Sequence, residues 1–277
     1  MEPVAVHGSC SELVPLRRSG RRPPLFCIHN EDFRHMAAAM PLDHSIYGLR
    51  WVHLDGAHVP LSVEQLAAGH LRQIRNVQER GPYQLIGYSF GGLVACEMGT
   101  LLVNSGEEVA VLALVDTLHP FFHRNLSAAE LTRFRKAYLA DRIKKYTRNL
   151  IQGRFDNIGS SVWRYMSNKV KPIAGKAARP LPNIDRSLIT SQMWHSYTPK
   201  EFKGRLVLFR VEKAIDGGAE FDDDPSLGWH KYATKGVDIQ FVAGGHGTVM
   251  QMPSVVDLIN KLVPYLGDTE RRTNRPG

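Results

Sequence analysis

The chain has 277 residues, of which 43% are hydrophobic and 22% charged. This composition can fill a substantial core and excludes a wholly disordered chain. No apolar run approaches the ~18 residues of a membrane-spanning helix, and residues 1–24 lack the apolar stretch of a signal peptide. Three scattered cysteines, Cys10, Cys27 and Cys96, form neither a disulfide framework nor a zinc motif. We expect a cytoplasmic protein without a membrane segment, metal or cofactor.

The net charge of +8 comes from one segment of the chain. Residues His119 to Lys203 contain 17 Lys and Arg against 5 Asp and Glu, whereas the remainder carries 18 against 22. A basic segment can contact nucleic acid, anionic lipid or an acidic protein, although a solvated helix face is the commoner explanation.

The first half of the chain alternates between strand and helix patterns. Short apolar runs predict strands at 24–28, 45–49 and 83–87, and a fourth strand at 109–115. Ser62 has capping-box spacing, and apolar residues recur every three or four positions from Val63 to Val77, which predicts an amphipathic helix. A helix of small residues is predicted from about Phe90 to Asn104. This alternation predicts a mostly parallel sheet with helices on both faces.

The middle of the chain interrupts that pattern. Residues 118–203 are basic and helical in character, and they are predicted to form a lid inserted into the domain. Strands at 205–211 and 237–242 and a helix at 253–266 resume the α/β pattern, and residues 267–277 are expected to be a disordered tail. Residues 1–277 are therefore predicted to be a single domain. Four aromatic residues are candidates for either an acyl pocket or the core of the lid: Trp163, Tyr165, Trp194 and Tyr197.

The candidate nucleophile is Ser89, in the sequence Gly87-Tyr88-Ser89-Phe90-Gly91. This G-x-S-x-G pattern lies where a predicted strand meets a predicted helix. In a nucleophile elbow the serine occupies a strained turn, and glycines on either side let the strand and helix pack closely. The N–H of Phe90 would then lie at a helix N-terminus, where it could stabilise an oxyanion.

A serine nucleophile needs a base and an acid that orients the base. His246, in Gly244-Gly245-His246-Gly247, follows the last predicted strand and should reach the same sheet edge as Ser89. Two carboxylates could orient it: Asp116, at the end of the 109–115 strand, and Asp216, in a glycine-rich loop after the next strand. We favour Asp116 because it follows its strand directly. Asp222 to Asp224 are interpreted as a solvated turn rather than a metal site.

These motifs resemble the thioesterase domains of non-ribosomal peptide and polyketide synthetases from about Leu13 to Leu266. The matching segments are 24–29, 87–92, 114–116, 227–229 and 244–246. The resemblance implies an α/β-hydrolase fold with a helical lid, and release of an acyl or peptidyl chain from the phosphopantetheine arm of a carrier protein. In chain-terminating members the acid follows the strand after the elbow helix, which corresponds to Asp116. In free-standing editing members it lies nearer to Asp216.

The loop after the first predicted strand departs from the family pattern. Members carry a His-Pro-x-Gly-Gly loop, whereas this chain has His29-Asn30-Glu31-Asp32-Phe33. The resemblance assigns the second oxyanion hydrogen bond to the N–H of Glu31. Two carboxylates in this loop would oppose a developing anion unless their side chains point away.

The resemblance also implies a partner. Carrier proteins of these synthetases tend to be acidic, so the lid's basic residues, such as Arg133, Arg135, Lys136, Lys144 and Lys145, could help to dock one. We expect a monomer that binds a carrier protein rather than nucleic acid or a membrane. Three alternatives stay open: an editing thioesterase, a small-molecule esterase or acyltransferase, and a non-catalytic binding module that keeps the hydrolase fold.

Overall fold

A computed structural model describes residues 11–28, 33–41, 43–51, 62–121, 186–213 and 224–267. All of these belong to the larger of the two compact units into which the chain divides. The smaller unit, residues 126–185 and 215–220, lies outside the described residues. The predictions for most of the lid, for Trp163 and Tyr165 and for residues 268–277 therefore lie outside them as well.

The described residues form seven strands, five α-helices and one short 3-10 helix, Trp229–Lys231. The strands are β1 (Ser11–Arg17), β2 (Arg22–Ile28), β3 (His44–Trp51), β4 (Tyr83–Tyr88), β5 (Val109–Val115), β6 (Leu206–Lys213) and β7 (Val237–Gly245). The helices are α1 (Arg34–Ala39), α2 (Val63–Arg75), α3 (Phe90–Asn104), α4 (Arg186–Ser196) and α5 (Ser254–Gly267).

The strands form one sheet in the order β1-β3-β2-β4-β5-β6-β7. Only β1 runs antiparallel to its neighbour, and the other six strands are parallel. After β2 the chain adds β3 on one side and then returns to add β4 on the other. The order of the strands therefore reverses between β2 and β4, and in open α/β sheets the crevice at such a reversal is where ligands bind.

Both faces of the sheet are buried, as the alternating side chains of β2 show. Phe26 and Ile28 join a core cluster that includes residues of α2 and α3. Leu25 and Cys27 join a second cluster, on the other face, that includes residues of α1 and α5. Apolar strands of this kind need helices on both sides, because either uncovered face would expose hydrophobic side chains to water. The prediction of a mostly parallel sheet covered on both faces is confirmed.

The predicted strands and helices within the described residues are all present, and α3 and β5 have the predicted bounds. The side chain of Ser62 accepts a hydrogen bond from the N–H of Gln65 and so caps α2 as the sequence indicates. Val77 was wrongly assigned to this helix, which ends at Arg75 and leaves Val77 exposed. Two elements were missed: the antiparallel edge strand β1 and the six-residue helix α1.

Helix α4 falls within the predicted lid segment, but it belongs to the same compact unit as the sheet. Tyr197, just after this helix, is buried, and its hydroxyl donates a 2.7 Å hydrogen bond to Oε2 of Glu97 in α3. Trp194 is partly buried against the same core cluster. For these two residues, the interpretation as packing residues fits better than a role in lining a pocket.

Candidate active site

Ser89 occupies a strained turn between β4 and α3. Its φ of 53° and ψ of −121° lie outside the regions that residues with a Cβ normally adopt. The surrounding backbone holds this conformation. The N–H of Ser89 donates to the carbonyl of Val115 at 3.0 Å, and the carbonyl of Ser89 accepts from the N–H of Gly92 at 3.0 Å. The serine is therefore fixed by main-chain hydrogen bonds in the centre of the sheet.

Glycines are needed on the strand and helix that flank this turn. A Cβ atom on Gly87 would lie 2.3 Å from the carbonyl oxygen of Gly91, which is far inside van der Waals contact. A Cβ on Gly92 would lie 2.0 Å from Oγ1 of Thr117. Strand, helix and the following strand thus approach more closely than side chains would permit, as expected for a nucleophile elbow.

Asp116 forms a second strained turn on the neighbouring strand. It follows the last residue of β5 and has a φ of 43°. Its N–H donates to the carbonyl of Phe209 in β6 at 2.8 Å, which anchors the turn to the next strand of the sheet. The side chain is only 14% exposed.

His246 meets Asp116 above the edge of the sheet. The two atoms Nδ1 of His246 and Oδ2 of Asp116 are 2.5 Å apart. A carboxylate accepts hydrogen bonds, so this contact favours the tautomer that carries its proton on Nδ1, in which Nε2 is the basic atom. His246 follows β7 directly, and β7 is separated from β5 by β6. The pairing therefore spans 130 residues of sequence and two strand positions.

Tyr88, the residue before Ser89, also reaches His246. Its hydroxyl donates a hydrogen bond to the main-chain carbonyl of His246, and the two ring centroids are 5.1 Å apart. This contact could not be predicted from the sequence, because tyrosine at a variable position of the elbow motif carries no functional signal of its own.

Two hydrogen bonds, here called the clasp, join the residues after Asp116 to the loop around Trp229. Nε1 of Trp229 donates a 2.7 Å hydrogen bond to the carbonyl of Thr117, and the N–H of His119 donates a 3.0 Å bond to the carbonyl of Leu227. Oγ1 of Thr117 lies 3.2 Å from the carbonyl of Ser89 and 3.1 Å from that of Val115. Thr117 therefore contacts both strained turns.

The remaining predicted residues fall into two groups. Phe90 is the first residue of α3, so its N–H lies at a helix N-terminus as predicted. Glu31, with the rest of the loop 29–32, lies outside the described residues, and so does Asp216.

His119, Cys27 and Cys96 are buried in the core and have structural surroundings. His119 stacks on Tyr232 with centroids 3.7 Å apart, and burial lowers its pKa to about 3, so the ring is neutral. Burial raises the pKa of the thiols of Cys27 and Cys96, which keeps both protonated, and both pack in the core as predicted.

The described parts of the chain contain no group of three or more His, Cys, Asp or Glu side chains placed to hold a metal ion. Asp224 instead accepts hydrogen bonds from the N–H groups of Ser226 and Gly228 and so closes a turn. In the same ranges, no helix combines the length and the apolar character that crossing a membrane requires.

A parallel sheet with a strained serine turn and an Asp–His pair at its carboxyl edge defines an α/β-hydrolase. Residues 23–263 match the family described as "Thioesterase domain". The chain belongs to this family.

The relatives of known sequence include several peptide synthetases. Malpinin synthetase from Mortierella alpina is 29% identical over 91% of this chain, and a dimodular nonribosomal peptide synthase from Bacillus subtilis is 30% identical over 72% of it. The match covers only 3% and 8% of the lengths of these two relatives. This chain therefore corresponds to one small part of each large synthetase.

Solved structures confirm the fold. The NocB thioesterase domain, crystallised as a covalent complex with a fluorophosphonate nocardicin G analogue, has a TM-score of 0.61 and 18% identity, and the match covers 93% of this chain and 99% of that one. A four-domain nonribosomal peptide synthetase bound to AMP and glycine has a TM-score of 0.63 and 18% identity over 95% of this chain and 20% of that one.

Proposed function

We propose that this protein is a serine thioesterase that releases an acyl or peptidyl chain from the phosphopantetheine thioester of a carrier protein. Ser89 is the nucleophile, His246 the general base and Asp116 the acid that orients it. The observation that carries this proposal is the 2.5 Å contact between Nδ1 of His246 and Oδ2 of Asp116, at the sheet edge where Ser89 occupies its strained turn. A serine, an orienting carboxylate and a histidine in this order along the chain are typical of α/β-hydrolases.

The proposed reaction has two stages. Nε2 of His246 accepts the hydroxyl proton of Ser89 as Oγ attacks the thioester carbonyl, and Asp116 stabilises the imidazolium that results. The C–S bond then breaks, the thiol leaves with the proton from His246, and the acyl group remains on Ser89. In the second stage His246 accepts a proton from water, or from a nucleophile within the bound chain, as that group attacks the ester carbonyl. The C–O bond to Ser89 then breaks and Oγ leaves with this proton, giving hydrolysis or cyclisation.

The developing oxyanion needs hydrogen-bond donors that are fixed before the reaction. The N–H of Phe90, at the positive end of the α3 dipole, is the first proposed donor. The second is the N–H of Glu31, on the resemblance alone.

The carrier protein is proposed as the partner because the relatives that support the family assignment are large peptide synthetases. The contact of His246 with Asp116 favours chain release over editing, since the resemblance places the acid of editing thioesterases nearer to Asp216.

Labelling with an active-site fluorophosphonate tests the mechanism. We expect intact-protein mass spectrometry to show one adduct on the native protein and none on Ser89→Ala. The matched control is Ser105→Ala, at the opposite end of the same helix, which should label like the native protein. A native protein that does not label would overturn the proposal in favour of a non-catalytic module.

Comparing substrates tests the thioester assignment. We expect acyl-pantetheine thioesters to be turned over with a higher kcat/KM than oxygen esters of the same acyl group, and carrier-bound acyl groups to be preferred further. Equal kcat/KM for all three would identify a general esterase instead.

A further inference from the structure

Tyr88 contacts both the main chain and the ring of the proposed base. It is the last residue of β4 and is covalently joined to Ser89. Its hydroxyl donates to the carbonyl of His246, and its ring lies beside the imidazole with the planes inclined by 34°. A single residue next to the nucleophile therefore touches the base, which is 158 positions further along the chain.

The loop that carries His246 is rich in glycine. Gly244, with a φ of 102°, Gly245 and Gly247 flank the histidine, and glycine has the largest conformational freedom of any residue. Hydrogen bonds close a turn around His246: the N–H groups of Thr248 and Val249 donate to the carbonyl of Gly245 at 2.9 Å, and Oγ1 of Thr248 accepts from the N–H of Gly245 at 3.0 Å. None of these bonds is made by His246 itself, so the orientation of its own carbonyl and side chain depends on other contacts.

The hydrogen bond to Asp116 does not hold the main chain of His246. It holds one ring nitrogen of His246, and the ring can still tilt about this bond. The bond from Tyr88 instead fixes the carbonyl of His246, and hence the position of its Cα.

The anchor at the other end of this contact is rigid. Strand β4 lies between β2 and β5, and Tyr88 is paired with Val115 in the ladder that ends at the two strained turns. A tyrosine ring has only two side-chain torsions, so its hydroxyl cannot move far from the strand. The strand that fixes Ser89 therefore also fixes, through Tyr88, the loop after β7, which lies three strands away in the sheet.

We infer that Tyr88 is a positioning residue that sets the distance between Ser89 and His246, a role separate from that of Asp116. The inference rests on the proposed function of these residues. In this role the hydroxyl of Tyr88 is needed for the transfer of the serine proton but not for substrate binding. Removing the hydroxyl should therefore lower kcat and leave KM unchanged.

Tyr88→Phe tests this role because it removes one oxygen atom and keeps the ring. We expect kcat for an acyl-pantetheine thioester, and the maximal rate of labelling by the fluorophosphonate, to fall by about tenfold. KM and the half-saturating concentration of the label should stay within about twofold of native. Replacing Tyr88 by 4-aminophenylalanine, which restores a donor at the same place, should recover most of the rate, and it tests the inference even if Tyr88→Phe does not fold.

The matched control is Tyr83→Phe at the start of the same strand. The hydroxyl of Tyr83 also reaches main-chain carbonyls, those of Gln78 at 3.2 Å and Glu79 at 2.8 Å, and the residue is fully buried. This variant should lose stability without losing kcat. Urea unfolding of each variant separates the two effects.

Three results would overturn the inference. Tyr88→Phe could keep the native kcat, it could raise KM without lowering kcat, or Tyr83→Phe could lose as much kcat as Tyr88→Phe. Failure of the proposed function is distinguishable, because then the native protein does not label at all. If the native protein labels at Ser89 and Tyr88→Phe labels as fast, the thioesterase mechanism stands and the positioning role is wrong.

Discussion

The ends of β4 and β7 hold their reactive side chains by different means. Ser89 follows a central strand, and main-chain hydrogen bonds and close glycine contacts fix it. His246 follows the edge strand β7 within a glycine-rich loop, and the side chains of Asp116 and Tyr88 fix it. Packing of the backbone thus places the proposed nucleophile, whereas a few polar contacts place the proposed base. Changes at the first position should appear chiefly in stability, and changes at the second chiefly in rate.

The largest effect is expected from Asp116→Asn, which alters the polar contact that holds His246. The amide cannot stabilise the imidazolium, and it can favour the wrong tautomer of His246. We expect kcat to fall by roughly 10³-fold or more. Stability should change little, because asparagine tolerates the positive φ of this turn. Single-turnover acylation and urea unfolding measure the two quantities.

Asp224→Asn is the control for removing a carboxylate. Asp224 closes its own turn through the N–H groups of Ser226 and Gly228, so this variant should lose some stability and keep kcat. Native acylation rates in Asp116→Asn would show that His246 does not depend on this carboxylate.

The next largest effect is expected from Gly87→Ala, which disturbs the close packing of strand and helix around Ser89. Its methyl group would overlap the carbonyl of Gly91, so strand and helix must separate. We expect the free energy of unfolding to fall by about 3 kcal/mol, with loss of activity following from the displaced serine.

Gly106→Ala separates overlap from backbone strain. A Cβ at Gly106 meets nothing within 4 Å, but its φ of 85° is unfavourable for alanine. The expected cost is about 1 kcal/mol, without loss of kcat. Gly87 does not have a positive φ, so a loss of stability in Gly87→Ala no larger than that in Gly106→Ala would show that the overlap with Gly91 is relieved at little cost.

The smallest effect concerns the pH dependence of stability, through Glu97 in the helix behind Ser89. Burial raises the pKa of this carboxyl group, while the hydrogen bond from Tyr197 partly opposes that shift. The folded protein therefore holds the proton more tightly than the unfolded chain. The contribution of Glu97 to stability is complete below its ordinary pKa and declines as the pH rises through the raised value.

Glu97→Gln should remove this dependence and still accept the hydrogen bond of Tyr197. We expect the variant to be more stable than the native protein at pH 8, by on the order of 1 kcal/mol, and to lose this advantage near pH 4. Thermal unfolding across this range measures the difference. A variant that is less stable at every pH would show that the ionised carboxylate stabilises the fold.

Most of the sheet could be predicted because its strands are short apolar runs between glycines, prolines and polar turns. For this reason the predicted bounds of the strands and the helix in residues 83–115 nearly match the observed ones. Strand β1 was missed because it is an edge strand in which charged residues and Pro15 obscure the alternation. Helix α1 has only six residues, too few for a helical period to be recognised.

The active site was partly predictable on the same grounds. Residues that directly follow parallel strands gather at one edge, so Ser89, Asp116 and His246 could be chosen from their places after β4, β5 and β7. The contact of Tyr88 with His246 could not be predicted, since it depends on the path of a glycine loop. The buried pair of Glu97 and Tyr197 was missed because a polar residue in a helix gives no sign of its partner.

The clasp between Thr117 and Trp229 bears on how this architecture can diversify. Its donor lies 112 residues after its acceptor, in the segment between β6 and β7, so the turn of Asp116 is anchored by a part of the chain remote in sequence. Substitutions elsewhere that keep this hydrogen bond should leave the orienting carboxylate in place. The position of one polar atom can in this way persist while much of the surrounding sequence drifts.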